Sequence, residues 1–377
     1  MKIIIGILLL GSIANTATFS KLVSACDNGD MKECRMLGHM YQNGKKIKQD
    51  FSKAKQLYIK ACNNGDAISC SNLGHMYQRG EGIKKNTSRA KELFIKAITI
   101  YTQACNNKDA EACESLGSMY YYGSAIKQDK RKAKELYIEA CNGKSKYSCT
   151  TLGTMYAEGD GIKQDKNEAK EAYIKGCDSG DEIGCSYLGN MYYYGDGIKK
   201  DFTKAEKAFV KACNSGKDET SCYTLGLMYD EGDGIAKDKT KAKEAYTKAC
   251  NGGSMSGCYN LGHMYYDGNG IKQNYIKAKK LYTKVCNNRH VNGCFNLGVM
   301  YDFGIGVRQN KRKALESYST AYNGGVIEAY YNSGVIYYQG KGITKDKKKA
   351  KEFFGLACDG GLDFGCKQYK LLNEKGI

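Results

Sequence analysis

The fold is decided by a segment that runs from Cys177 to Cys213 and reads CDSGDEIGCSYLGNMYYYGDGIKKDFTKAEKAFVKAC. The same skeleton recurs about nine times in the 377 residues, usually at a spacing of 36 positions, as from Cys149 to Cys185. Self-similarity at a fixed period of this length is the signature of a repeat protein, in which each unit buries its apolar face against its neighbours.

Each unit contains two helical patterns. In the first, residues 182–193 place small or apolar residues at helical spacing, and in the second, residues 202–212 do the same from Phe202 to Ala212. A glycine-containing YGDGI loop separates them, and Asp201 is a candidate N-cap for the second helix. We call these helix A and helix B, and two antiparallel helices per unit predict an all-α, right-handed α/α solenoid superhelix.

Three small or aromatic positions recur in every unit. A glycine inside a helix costs about 1 kcal/mol relative to alanine, so nine of them predict a close helix–helix approach. The alanine of the KA step is expected at the same contact, and the tyrosine of LGxMY is expected in the core. The glycines are Gly38, Gly74, Gly117, Gly153, Gly189, Gly226, Gly262, Gly298 and Gly334, and the tyrosines are Tyr41, Tyr77, Tyr120, Tyr156, Tyr192, Tyr229, Tyr265, Tyr301 and Tyr337.

One helix B carries seven extra residues, within KELFIKAITIYTQAC. Seven residues are close to two helical turns, so this helix is expected to lengthen without losing its buried face. Ile98 and Tyr101 are expected to protrude near one edge, as a docking feature or a neutral insertion.

The eighteen cysteines form nine pairs that straddle the loop between helix B and the next helix A. A bridge there closes a loop of about nine residues and contributes roughly 2–3 kcal/mol. Where a tenth pair would fall stand Tyr322 and Tyr330, and the joint loss of both cysteines favours pairing within each unit over other connectivities. The expected disulfides are Cys26–Cys34, Cys62–Cys70, Cys105–Cys113, Cys141–Cys149, Cys177–Cys185, Cys213–Cys222, Cys250–Cys258, Cys286–Cys294 and Cys358–Cys366.

The first twenty residues have the pattern of a secretory signal peptide: Lys2, an apolar stretch over 3–13 and small residues before Ser20. The expected organisation is therefore a signal peptide (1–20) and one repeat domain (21–377). A signal peptide and an even number of cysteines together predict a periplasmic or secreted protein without a membrane anchor in its mature form.

The formal charge of +18 has two interpretations. The lysines recur in GIKxDxxKAKE, which is typical of a solvated helix face, but they could also attract an acidic partner. The sequence lacks the aromatic motifs of basic RNA-binding modules, so no nucleic-acid partner is expected.

The pattern LGxMYxxGxGIxxDxxKAxxxYxKAC resembles the Sel1-like repeat family, over about residues 21 to 377, and the eight-residue cysteine spacing is similar to that of the Helicobacter-type cysteine-rich proteins. The resemblance implies a TPR-like solenoid of disulfide-bridged helix-turn-helix repeats that works as a binding scaffold. It also implies penicillin binding or weak β-lactamase activity, for which the residues provide no clear constellation. SxxK occurs at Ser52–Lys55 and Ser88–Lys91, where repeats rich in lysine generate it by chance. His39, His75 and His263 share one repeat position and His290 lies in a loop, so we expect no metal and no cofactor.

The candidate binding surface is a polar strip on helix A, formed by the residue before LG and the x of LGxMY. Asparagines in such a strip can hold the backbone amides of an extended peptide; the alternative is ordinary solvated helix surface. The expected function is a monomeric scaffold that binds a protein, a peptide or a peptidoglycan fragment in a concave groove, and the alternative is a weak β-lactam hydrolase. The strip comprises Asn72, His75, Ser115, Ser118, Thr151, Thr154, Tyr187, Asn190, Thr224, Asn260, His263, Asn296 and Asn332.

Overall fold

A computed structural model describes residues 19–44, 47–123, 126–216 and 218–377, and every regular element in them is a helix. The predicted alternation of A and B helices is confirmed. The A helices are α2 (Met31–Asn43), α4 (Ala67–Arg79), α6 (Ala110–Tyr122), α8 (Lys146–Glu158), α10 (Glu182–Tyr194), α12 (Glu219–Glu231), α14 (Met255–Asp267), α16 (Val291–Phe303), α18 (Ile327–Gln339) and α20 (Asp363–Glu374).

The B helices alternate with them, beginning with α1, which covers 19–27 of the described residues. The others are α3 (Phe51–Asn63), α5 (Thr87–Asn106), α7 (Lys130–Asn142), α9 (Lys166–Asp178), α11 (Phe202–Asn214), α13 (Lys239–Gly252), α15 (Tyr275–Asn287), α17 (Lys311–Asn323) and α19 (Lys347–Asp359). We number the repeats by these pairs, from repeat 1 (α2 and α3) to repeat 9 (α18 and α19).

Local sequence determines where most of the helices begin and end, as α10 and α11 illustrate. Helix α10 ends at Gly195, whose φ of 73° is the left-handed conformation that glycine adopts without strain. Helix α11 then begins after Asp201, whose carboxylate accepts the backbone N–H of Lys204, as predicted for an N-cap.

The helix A glycine lies against an aromatic ring on helix B of the same repeat. A Cβ atom on Gly226 would lie 2.4 Å from the ring of Tyr246 on α13, and one on Gly153 would lie 2.5 Å from the ring of Tyr173 on α9. The predicted close approach is confirmed, and the element that fills the space is an aromatic ring of helix B.

The LGxMY tyrosines differ from the prediction, because only Tyr229 is buried and the other eight are half-buried. One side of these rings packs against the core, while lysines lie over them. Lys241, for example, is 5.0 Å from the ring centroid of Tyr229, and Lys277 is 5.0 Å from that of Tyr265. A flat ring that supports a lysine can remain at the surface because the cation interacts favourably with its face.

The long B helix, α5, has twenty residues, so the predicted lengthening is confirmed. The predicted protrusion is wrong for Tyr101, which is only 9% exposed, and Ile98 packs against the same core cluster. Tyr101 follows Phe94 by seven residues, or about two turns, so both side chains lie on the same buried face of α5. The extra segment therefore supplies a second buried aromatic residue.

The chain is disulfide-bridged, as the sequence predicts, and no described cysteine is free. The bridged Cα atoms lie 4.6 Å apart in Cys26–Cys34 and 4.7 Å apart in Cys213–Cys222, which has the one longer loop. Bridges also join Cys62–Cys70, Cys105–Cys113, Cys141–Cys149, Cys250–Cys258, Cys286–Cys294 and Cys358–Cys366, and both Cys177 and Cys185 are disulfide-bonded.

The contacts divide the chain into two compact units, Met1–Ser179 and Gly180–Ile377, which are described separately below. Of the expected signal peptide, residues 1–18 lie outside the described residues. None of the described helices combines the length and the apolar character that a membrane span requires.

Candidate functional site: the polar face of the A helices

The predicted strip lies on the A helices of both units, as the spacing requires. In the first unit Asn72 and His75 are on α4, Ser115 and Ser118 on α6, and Thr151 and Thr154 on α8, and all six are half-buried. In the second unit Tyr187 and His263 are exposed, while the half-buried members are Asn190, Thr224, Asn260, Asn296 and Asn332.

Many strip residues have a role that the sequence did not reveal: they hydrogen-bond the hydroxyl groups of buried helix B tyrosines. The Asn332 amide donates to the Tyr318 hydroxyl at 3.3 Å, and Asn260 bonds Tyr246 in the same way. Each pair is separated by fourteen positions, from the middle of one B helix to the following A helix.

In the first unit Asn72 bonds Tyr58 in the same way. The Tyr137 hydroxyl there donates at 3.1 Å to Ser118, which lies on the A helix of its own repeat and not on the following one. Burial raises the pKa of Tyr58 to about 12, and the hydrogen bond from Asn72 opposes part of that rise. An asparagine has four hydrogen-bonding positions, so one bond to a tyrosine positions the amide and leaves capacity for a ligand.

The strip histidines have local partners on their own helices. His263 lies 2.9 Å from the Asp267 carboxylate, and the Nδ1 atom of His75 lies 3.4 Å from the Gln78 side-chain oxygen. The His75 ring also contacts Phe94 on α5 edge-on at 4.9 Å. His290 lies in the connection between α15 and α16, as predicted, and it has a role there as the N-cap of α16, where its ring accepts the N–H of Gly293. No group of His, Cys, Asp or Glu in the described ranges has the arrangement of a metal site.

Sequence reasoning missed an aromatic ladder beside the strip in the second unit. Four consecutive A helices carry a half-buried aromatic residue directly before a strip residue: Tyr223, Tyr259, Phe295 and Tyr331. Each ring leans on the helix B aromatic of its own repeat, as Tyr259 does on Tyr282 at 6.0 Å and Phe295 on Tyr318 at 5.8 Å. The sequence signal is an aromatic residue directly after the helix A cysteine, or after Tyr330 in its place. The first unit has Arg35, Ser71, Glu114 and Thr150 at this position.

Neighbouring A helices touch through strip and ladder residues and through polar side chains beside them. The Asn296 amide on α16 approaches the Tyr259 hydroxyl on α14 at 3.4 Å, and the Ser221 hydroxyl on α12 donates to Ser186 on α10 at 3.0 Å. In the first unit, Ser148 on α8 donates to the Glu114 carboxylate on α6 at 3.1 Å. Within each unit the strip therefore extends from one repeat to the next.

The SxxK sequences do not form a nucleophile–base pair. Ser52 is exposed on the first turn of α3, and the Lys55 ammonium lies over the ring of Tyr77, 5.8 Å from its centroid. No hydrogen bond joins these two side chains in the part of the chain that the structure describes. Activation of a serine requires such contact with a base.

Together these features define a disulfide-linked helical-hairpin repeat protein with a polar A-helix face. The Sel1 repeat profile matches nine segments, which cover most of the chain: 34–66, 67–99, 110–145, 147–181, 183–217, 220–254, 256–290, 291–326 and 327–362. The chain therefore belongs to the Sel1 repeat family.

Two solved structures share this fold, and a third is similar in sequence over part of the chain. A protective antigen of uropathogenic Escherichia coli with an SLR fold is 29% identical, with 96% of this chain and 76% of that chain covered and a TM-score of 0.61. A Sel1 repeat protein of Oxalobacter formigenes is 22% identical, with coverage of 84% and 89% and a TM-score of 0.55, and shares the fold. Cysteine-rich protein B of Helicobacter pylori is 35% identical over 36% of this chain and 96% of its own, with a TM-score of 0.30. No protein among those with curated functions matches the sequence.

Proposed function

We propose that this protein is an exported scaffold that binds an extended peptide segment of a partner protein. The peptide would lie along the aromatic ladder and the adjacent strip residues of the second unit. Sel1 repeats are typically protein-interaction modules, and the many disulfides indicate an oxidising compartment. Export through a signal peptide, to the periplasm or beyond, is part of the proposal.

The observation that carries the proposal is the repetition of one pair of neighbours on four consecutive A helices. An aromatic ring is followed by a polar residue in Tyr223–Thr224, Tyr259–Asn260, Phe295–Asn296 and Tyr331–Asn332, and all eight residues are half-buried. Half-buried rings offer apolar surface to alternate side chains of a strand, and amides can bond its backbone. Repeats stacked in one direction supply this pair at regular intervals, as an extended ligand requires.

A peptide library screened against the fully oxidised protein tests this function. We expect enrichment of extended sequences, and we expect N260A/N296A to lose most of that retention. N72A is the matched control, because it removes the same type of bond to a buried tyrosine, Tyr58, but lies outside the ladder. Equal loss of retention in N72A, or no enrichment by the native protein, would contradict the proposal.

A second measurement addresses the hydrolase that the family resemblance implies. We expect β-lactam turnover by homogeneous oxidised protein to equal that of a mock purification. Saturable turnover that copurifies through two orthogonal columns would replace the scaffold with an enzyme.

A further inference from the structure

A strongly basic crevice lies where repeats 8 and 9 meet, on the side of the loops that join helix A to helix B. It has a volume of about 590 Å³ and is formed by the start of α17, the loop before it, α15 and the loop after α18. Its lining contains no carboxylate, and its cationic side chains are Lys279, Arg308, Lys311, Arg312, Lys313 and Lys341.

The junction between repeats 3 and 4 shows how such a crevice is neutralised elsewhere in the chain. There the loop residue between two glycines is Asp160, which forms an ion pair with Lys130 at the start of α7 and accepts a hydrogen bond from Tyr121. These two partners hold the pKa of the Asp160 carboxyl below its usual range. Repeats 2, 5 and 6 likewise have an acid at this position, namely Glu81, Asp196 and Asp233.

Repeat 9 reverses the charge at the same position, since Lys341 stands between Gly340 and Gly342. Lys311, the counterpart of Lys130, instead pairs with Asp302 of its own repeat at 2.5 Å, and their side chains are only 11% and 6% exposed. This buried pair is internally satisfied. It provides no negative charge for the other five cations of the crevice.

Those five cations form no ion pair among the residues that the structure describes. Lys279 and Lys313 flank the ring of Tyr301, with ammonium groups 5.7 and 5.5 Å from its centroid. Both arginines are exposed at the crevice. Like charges in one cleft repel each other and create a positive potential that favours a mobile anion.

The start of α17 adds to this potential. The helix has thirteen residues, and its N-cap is the neutral Asn310, whereas the equivalent α7 has the carboxylate of Asp129. The positive end of the helix dipole is therefore not offset by a capping charge, and it opens onto the cation cluster.

We propose that this crevice binds a small, multiply charged oxyanion of the pyrophosphate or phosphomonoester type. The guanidinium groups of Arg308 and Arg312 match the paired oxygens of such a group, and Lys341 supplies a point charge from the neighbouring repeat. The site shares no residue with the aromatic ladder. It binds its ligand through charge, whereas the ladder binds through aromatic surface.

Titration calorimetry of the oxidised full-length chain with inorganic pyrophosphate in low salt tests the site. We expect saturable binding at one site and at least tenfold weaker binding for both R312Q and K341D. The K341D variant restores the acid that other junctions have, so we expect it to fold and to keep the thermal unfolding midpoint of the native protein. A loss of pyrophosphate affinity in K341D would therefore result from the changed charge at the site and not from unfolding.

The matched control is R131Q, which changes the residue equivalent to Arg312 in the crevice that Asp160 neutralises. We expect it to leave pyrophosphate affinity unchanged within twofold. Absence of saturable binding by the native protein, unchanged binding by K341D, or equal weakening by R131Q and R312Q would overturn the proposal, the last because it would show diffuse attraction to a basic surface.

Discussion

Tyr322 and Tyr330 stack with ring centroids 4.6 Å apart and an angle of 17° between their planes, at the two positions that hold cysteines in the other repeats. Phe353 packs against both rings, and its own ring stacks on Tyr337 at 5.7 Å. An aromatic cluster thus joins α17 to α18 where a covalent bridge joins the equivalent helices.

We expect the double variant Y322C/Y330C to form a tenth disulfide in oxidising buffer. Closing a loop of about nine residues is worth about 2.6 kcal/mol in the chain-entropy model, while loss of the ring–ring contact costs about 0.5–1.5 kcal/mol in addition to the lost burial of both rings. Urea unfolding of oxidised protein should therefore show a net gain of less than about 2 kcal/mol. The single variant Y322C should be less stable than the native protein, and two titratable thiols in the oxidised double variant would contradict the pairing.

Adding one methyl group at the helix A glycine should destabilise a repeat. In G226A the new Cβ atom would lie 2.4 Å from the buried Tyr246 ring. Overpacking typically costs about 1–3 kcal/mol, and the higher helix propensity of alanine returns about 1 kcal/mol, so we expect a net loss of up to about 2 kcal/mol. Hydrogen exchange of α12 and α13 provides the measurement.

The control for this substitution is G355A, in the interior of α19. Its Cβ atom would meet the ring of Tyr369 at 3.2 Å, and that ring is partly exposed and can move. We expect G355A to be neutral or slightly stabilising. A loss equal to that of G226A would show that packing against the buried ring is not the cause.

His290 should make stability depend on pH below neutrality. Burial lowers the pKa of this imidazole below its ordinary value of about 6.5, and its neutral ring accepts the N–H of Gly293. Above the unfolded pKa both states are neutral. As the pH falls below about 6.5 the unfolded chain binds the proton more readily, so stability declines until the folded pKa is reached.

The variant H290N keeps a capping side chain but does not titrate. We therefore expect the stability difference between native protein and H290N to shift in favour of H290N between pH 7.5 and pH 5, as measured by urea unfolding. A difference that is constant over this range would rule out His290 as the titrating group.

The buried tyrosines should resist ionisation. Burial raises the pKa of Tyr137 to about 12, although Ser118 bonds its hydroxyl. Because the folded pKa exceeds the unfolded value of about 10, stability is retained below pH 10 and is lost as the pH rises toward 12, by about 1 kcal/mol at pH 11. Y137F should remove this loss of stability above pH 10, as measured by alkaline unfolding followed by absorbance at 295 nm. Y122F, which changes an exposed ring, is the control and should leave the loss unchanged.

The sequence predicted those features that recur at a fixed position in each repeat and depend on local chemistry. Cysteine spacing, the glycine of LG and the Asp201 N-cap each have a local physical reason, and each appears in the structure as expected. Tyr101 was mistaken for a surface residue because its burial depends on which turn of α5 faces the neighbouring helix.

The candidate site was less predictable, because its properties arise between helices. Asn260 looks like a free surface amide in the sequence, and only the fold brings it to the hydroxyl of Tyr246. The sequence shows that Lys341 replaces an acidic residue of other repeats. The consequence for charge becomes clear only from the structure, where the equivalent Asp160 pairs with Lys130.

The bridges have a consequence for the way in which proteases would cut the chain. A single cut between Cys250 and Cys258 leaves both halves covalently joined, because the disulfide spans the cut. A cut in the loop between α14 and α15 has no such bridge across it, and the two pieces are held only by packing. The bridged connections are therefore tolerant of nicking, and degradation is expected to proceed by release of units that each begin with a helix B and end with a helix A. The pair α17 and α18 is the exception, because stacked tyrosine rings replace its bridge.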